Sequence, residues 1–183
     1  GHAPVTGTVY GSDEYGKSTL DSVMKQYPQI VHFSGHSHCP LDDERSIYQK
    51  DYTAINTASL NYTELESGRV GGTLPDGIFD CSQGLYMNIY SDHLDIERID
   101  FTNHRTIKDN WILDLPLTPE TFTYTPNRAD ERQAPVFPAD AKVTCQPAAA
   151  SCLFTFDQAE HEDFTHSYRC LLYTSPSPRD GAT

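Results

Sequence analysis

Pro28 restricts this 183-residue chain more than any other position, because it divides two segments that must take up different secondary structures. Ahead of it, Ser18 can cap a helix, Asp21 sits in the first turn, and Leu20, Val23, Met24 and Tyr27 recur on one helical face. Behind it, Gln29-Ile30-Val31-His32-Phe33-Ser34 is a β-branched and aromatic run ended by Gly35, the pattern of a short buried strand. With a strand preceding His2, the order becomes strand, loop, helix, strand, which demands a parallel sheet and a right-handed crossover. The expected class is therefore α/β. His2 and the Gly35-His36-Ser37-His38 turn then fall at carboxyl ends of strands, the edge on which open α/β sheets carry their sites.

Downstream the patterning is β. Residues 52–57 read as a strand, residues 84–90 and 93–101 alternate at period two around a Ser91-Asp92 turn and so form a hairpin, and residues 111–115 make a last short strand. Six of the 12 prolines lie between Pro116 and Pro147, a density that suggests a linker over 116–134. β character resumes from Val136, with residues 153–156 and the approach to Tyr168 as partial strands, so 135–169 reads as the opening of an immunoglobulin- or fibronectin-like module. The run Cys170-Leu-Leu-Tyr-Thr-Ser-Pro-Ser-Pro-Arg-Asp180 back-translates into a sequence that resembles a transposase-type sequencing adapter, and 170–183 is set apart from the fold on that ground. The remaining cysteines, Cys39, Cys81, Cys145 and Cys152, contain no C-x-x-C spacing; pairing of Cys145 with Cys152 and two free thiols are equally open readings.

Charge narrows the partners. A formal net charge of −13 disfavours nucleic acid, whose phosphates need clustered Lys and Arg, and no apolar run reaches the length of a membrane span. Leu, Ile, Val and Phe make up only about a fifth of the residues, at the edge of what a packed core requires at this charge, but 11 Tyr and 8 Phe argue for order. An anionic substrate on so acidic a chain has to be held by something other than surface charge, and a metal ion is the obvious means.

Histidines supply candidate ligands. On an extended segment, residues two apart point to the same side with Cα atoms ~6.6–7 Å apart, so His36 and His38 can reach different ions of a pair ~3.5–4 Å apart. Gly35 permits a sharp turn before them, and Pro4 keeps the chain extended after His2. From spacing alone, ligation and ordinary polar loop histidines both remain open. His32 reads as a hydrogen-bonded core histidine, while His93, His104, His161 and His166 sit in polar contexts as surface residues, and Asp42-Asp43-Glu44 reads as a solvated loop.

The segments Gly1-His2-Ala3-Pro4 and Tyr27-Pro28-Gln29-Ile30-Val31-His32-Phe33-Ser34-Gly35-His36-Ser37-His38 resemble the H-x-P and G-H-x-H blocks of calcineurin-like metallophosphoesterases. Asn56-Thr57-Ala58-Ser59-Leu60, Gln83-Gly84-Leu85 and the hairpin are similar to the end of bacterial members that carry an appended β-sandwich. The resemblance covers residues 1–115. It implies a partial metallophosphoesterase β-sandwich flanked by a helix, with two divalent ions (Mn, Fe, Co or Zn), His2 and His36 on one and His38 on the other. Hydrolysis of small phosphomono- or phosphodiesters by a metal-bound hydroxide follows from that site, and the appended position of the 135–169 module suggests an extracytoplasmic setting. No D-x-H, GDxxD or GNHD block is present in the 183 residues, so the bridging Asp, the Asn ligand and the acid-base His have no counterpart here. On this reading the chain is a carboxyl-terminal part of such an enzyme, carries no assignable catalytic residue, and alone is inactive.

Two other classes stay in view. A cupin also uses H-x-H followed by Glu, although Glu44 lies far past His38; an all-antiparallel barrel would favour it. A non-enzymatic extracellular scaffold would leave the three histidines apart.

Overall fold

The computed structural model describes residues 1–66, 72–73 and 78–161. His166, Tyr168, Arg169 and the 170–183 run lie outside the described residues.

The fold is a sheet-rich α/β arrangement. The first residues lie extended beside β1 (Val31–Ser34): the Gly1 amino group donates to the Phe33 carbonyl at 2.8 Å, and the Gly35 N–H donates to the His2 carbonyl at 2.9 Å, so both segments run in the same direction. Between them come α1 (Ser12–Tyr15) and α2 (Asp21–Met24). β2 (Ile47–Gln49) and β3 (Thr53–Asn56) complete a three-stranded sheet of order β1-β3-β2, in which β1 and β3 pair in parallel. A small ladder joins β4 (Leu65–Glu66) to β5 (Gly72–Thr73). β6 (Gln83–Ile89), β7 (His93–Asp100), β8 (Arg105–Thr106) and β9 (Trp111–Asp114) form an antiparallel sheet centred on β7. A separate hairpin pairs β10 (Val143–Pro147) with β11 (Cys152–Phe156).

One apolar cluster joins the two larger sheets. Ile47 and Ile55 from the mixed sheet meet Leu94, Ile96, Trp111 and Leu113 from the antiparallel one, and Leu41 and Leu117 are buried in the same cluster. On the other face of the mixed sheet, Val5, Val9 and Met24 cover Tyr52 and Ala54. β3 is thus buried on both sides, as its unbroken run of buried residues requires.

Three sequence expectations change. The helix before Pro28 is only four residues long and is rotated: Asp21 accepts a hydrogen bond from the Tyr52 hydroxyl at 3.3 Å and pairs with Lys25, and Met24 packs beside it, so Leu20, Val23 and Tyr27 face outward. The segment read as a linker is instead a strap over the core. Gln49 Oε1 accepts the N–H groups of Thr123 and Tyr124, Tyr124 Oη accepts the Ile112 N–H, and Arg128 donates to the carbonyls of Glu44 and Ile47. Asp42-Asp43-Glu44 is not a solvated loop. Asp43 is buried against Arg45, Asp42 accepts from Gln83 Nε2, and Glu44 meets Arg98, Lys108 and Arg128.

Cys145 and Cys152 form a disulfide across β10 and β11, with Cα atoms 6.3 Å apart; Cys39 and Cys81 are not in a disulfide. Every residue of these two strands is exposed, so the disulfide and the ladder hold the hairpin without a core of their own.

Candidate metal centre

His2 and His36 meet. His2 Nε2 lies 3.1 Å from His36 Nδ1, with ring centroids 4.8 Å apart and both side chains exposed. That separation is a hydrogen bond when one ring carries a proton between them. It is also the spacing of two donors on a shared ion, since bonds of ~2.0–2.1 Å would then subtend roughly 100°.

The local backbone explains the meeting. His2 is fixed because its carbonyl accepts from Gly35 in the strand-like pairing described above. His36 and His38 both occupy the left-handed region, at φ 69° and 53°, whereas Gly35 does not. The turn expected of the glycine is therefore made by the histidines, a conformation uncommon for residues other than glycine and one that concentrates at functional positions. Between them Ser37 is fully buried beneath Gly11, where an added Cβ would stand 2.8 Å from both Ser37 Cβ and Cys39 Sγ. Gly11, at φ 78°, is thus the residue whose lack of a side chain lets the turn close.

His38 has other neighbours, and residues 36–38 are not extended as the sequence suggests. The His38 ring packs on Tyr62 at 4.2 Å, its carbonyl accepts from Glu64 N–H, and its Nδ1 is buried without a hydrogen-bond partner. Among the described residues no group of three or more His, Cys, Asp or Glu is arranged to hold an ion.

Tyr15 and Glu64 were not singled out by sequence and border the site. The Tyr15 ring stands edge-on to His36 at 5.6 Å, and its hydroxyl donates to Glu64 Oε2 at 2.5 Å. Glu64 in turn holds His38 through its backbone, so the bonded Tyr15–Glu64 pair touches both histidines of the turn, Tyr15 at His36 and Glu64 at His38. Nothing in the local sequence marks this, because the Tyr15–Glu64 contact spans 49 residues.

The other histidines behave differently. His32 is half-buried with Nδ1 unpartnered rather than hydrogen-bonded, and burial, reinforced by the amino-terminal charge, pushes its imidazole below the ordinary value. His93 stacks on Tyr90 at 4.5 Å and contacts Asp92; His104 is exposed; His161 contacts the Gln133 carbonyl. A cavity of about 740 Å³ between Tyr10, Arg45, Tyr48, Tyr124 and Arg128 contains none of the three candidate ligands.

The donor chemistry at His2 and His36 fits one divalent ion. His38 supplies an unpartnered nitrogen nearby in sequence, and no carboxylate among the described residues joins the pair to bridge a second ion. No family model, no curated protein and no solved structure matches this chain.

Proposed function

We propose that the chain carries part of the metal site of a dinuclear phosphoesterase of the calcineurin-like type, with His2 and His36 on one ion and His38 on the other. The observation that supports this most is the 3.1 Å approach of two imidazole nitrogens at the carboxyl end of a parallel strand. The parallel pairing of β1 with β3 also counts against an all-antiparallel cupin barrel. Ions bound there would supply Lewis acidity toward phosphoryl oxygens and a water of lowered pKa. The chain's own contribution is to orient the donors: Gly35 fixes His2, Gly11 admits the turn that aims His36, and Tyr15 supports the His36 ring. The exposed β10–β11 hairpin belongs on this reading to an appended immunoglobulin-like module, and its disulfide suits an oxidising, extracytoplasmic setting.

Three neutral imidazoles do not offset two divalent charges, so a second ion would be repelled unless carboxylates join it. The chain alone is therefore expected to take up one ion weakly and to be a poor catalyst. Titration with Zn²⁺ or Co²⁺ followed by calorimetry and visible absorption tests this: one equivalent bound, abolished by His36→Ala. Failure to bind any ion, or binding indifferent to His36→Ala, refutes the assignment. Hydrolysis of an aryl phosphodiester near 1 s⁻¹, the low end for ordinary enzymes, that vanishes in a His36→Ala, His38→Ala double variant would refute the expected inactivity.

A further inference from the structure

We propose that the cavity between Tyr10, Tyr48 and Tyr124 is a binding site for a small aromatic carboxylate, an inference that does not depend on the metal assignment above. Its volume of about 740 Å³ falls within the range of ligand pockets, ~300–1,000 Å³. Its walls come from distant segments that are bonded to one another. Tyr10 N–H donates to the Arg45 carbonyl at 2.9 Å, and Arg128 Nη2 donates to the carbonyls of Glu44 and Ile47 at 2.9 and 3.0 Å. Walls tied in this way need little ordering when a ligand enters.

The cavity selects for charge. A neighbouring cavity of about 470 Å³ shares Glu44, Tyr124 and Arg132 with it. On a chain of net charge −13, six of the 13 Lys and Arg residues line one or the other, against four of the 26 Asp and Glu residues. The balance of charge is thus reversed locally, and a concave site of one sign concentrates ions of the other. The carboxylates do not make a cation site, because Asp43 is paired with Arg45, and Glu44 meets Arg98, Lys108 and Arg128. Arg98 Nε and Trp111 Nε1, in residues that line the neighbouring cavity, are buried N–H donors without partners. Donors are in surplus here.

The cavity also selects for a flat ring. The Arg45 guanidinium lies 4.1 Å from the Tyr10 ring centroid, and that of Arg128 lies 5.3 Å from the Tyr124 centroid, so two guanidinium–tyrosine stacks belong to the wall. Either component of such a stack packs well on a planar aromatic ring. Arg45 and Arg128 are engaged in holding the wall; Lys50 and Arg132, both exposed, are the cations through which a carboxylate is drawn in.

Calorimetry of the full chain in EDTA, which keeps ions off the histidines, tests the site with naphthoate, its neutral isostere naphthamide, and cyclohexanecarboxylate. Naphthoate should bind at one equivalent and about ten-fold more tightly than either. A Lys50→Gln, Arg132→Gln double variant should bring naphthoate and naphthamide to the same affinity, whereas Lys25→Gln, at an exposed cation outside the cavity, should keep them apart. Equal affinities of the parent chain for naphthoate and naphthamide, or for naphthoate and cyclohexanecarboxylate, overturn the proposal, and they do so whether or not the double variant folds. Naphthoate binding weaker than about 1 mM, or a naphthoate preference that survives the double variant, overturns it too. Inorganic phosphate bound as tightly as naphthoate would assign the cavity to anions in general and refute the aromatic selection.

Discussion

Replacing Glu44 with Gln should cost this protein more than any surface change, and the structure gives the size. The Arg98 guanidinium is 2% exposed on the core face of β7 and donates to Glu44 Oε1 at 2.8 Å. Its other donors reach the Leu41 carbonyl at 3.1 Å and the Asp109 carbonyl at 2.6 Å, and its plane lies 4.6 Å from the Trp111 ring centroid. Burial pushes the Glu44 carboxyl up, but the Arg98 hydrogen bond and the charges of Arg98, Lys108 and Arg128 outweigh it and hold the carboxyl below the ordinary 4.5. Gln keeps the shape and an acceptor oxygen but removes the charge. Breaking a buried pair costs ~3–5 kcal/mol when the surviving charge is left alone. Here two carbonyls remain, so a loss of ~2–3 kcal/mol is expected, the upper range for hydrogen bonds to charged groups.

At ~2–4 °C per kcal/mol for a chain of this size, the melting temperature should fall by about 4–12 °C at pH 7. The pH dependence follows from the sign of the shift. A carboxyl held below its unfolded value stabilises above that value and loses the contribution as pH falls through its folded one. The gap between parent and variant should thus be full at pH 6–7 and close in the acid range below 4.5. Calorimetric melts of both proteins from pH 3 to 7 measure it. A gap under ~0.5 kcal/mol at pH 7, the scale of surface substitutions, or one that does not shrink in acid, would refute the claim that Glu44 neutralises a buried cation.

Two more perturbations bear on the turn and the hairpin. Gly11→Ala places a Cβ 2.8 Å from Ser37 Cβ and Cys39 Sγ at φ 78°, so backbone strain and overpacking should together cost ~2–4 kcal/mol in urea unfolding and weaken Zn²⁺ uptake; a neutral variant would mean the His36–His38 turn does not depend on that contact. Reducing Cys145–Cys152, at a sequence separation of 7, removes a constraint worth about 2.5 kcal/mol in the loop-entropy picture. Because both strands are exposed, native-state hydrogen exchange should show protection lost at residues 143–156 with the main melting transition unmoved; a shift of that transition would show that the hairpin supports the core.

Strands were legible wherever a residue's environment followed from its own period. β6, β7 and β9 lie where alternation put them, and β1 and β3 where short β-branched runs did, because a pleated strand presents successive side chains to opposite faces whatever surrounds it. Contacts between distant segments were not legible. The apolar face of the segment before Pro28 is turned outward by an Asp21–Tyr52 bond that spans 31 residues. Arg98 occupies a core position of β7 because Glu44, 54 residues earlier, supplies its counter-charge. The strap over 116–131 follows the same rule: its prolines suit the starts of the short 3-10 helices Pro119–Thr121 and Pro126–Glu131, and they say nothing of the Gln49 side chain, 74 residues away from Thr123, that receives its backbone.

The site divides along the same line, at the level of single torsions. That His2 and the turn after β1 share a sheet edge followed from chain order, since a strand, a crossover and a parallel strand must end on the same side. Whether residues 36 and 38 point together depended on the backbone between them. An extended H-x-H would align both rings, but φ values of 69° and 53° replace extension with two left-handed steps, sending His36 to His2 and Tyr15, and His38 to Tyr62. Gly35 stands where sequence reading expects that conformation, yet a Cβ built there would meet only Thr57 Oγ1 at an ordinary 3.6 Å. The residue that does require glycine is Gly11, 26 positions before Ser37 and on a different element, and it is the close packing of Gly11 on Ser37 that leaves the flanking histidines to carry the turn.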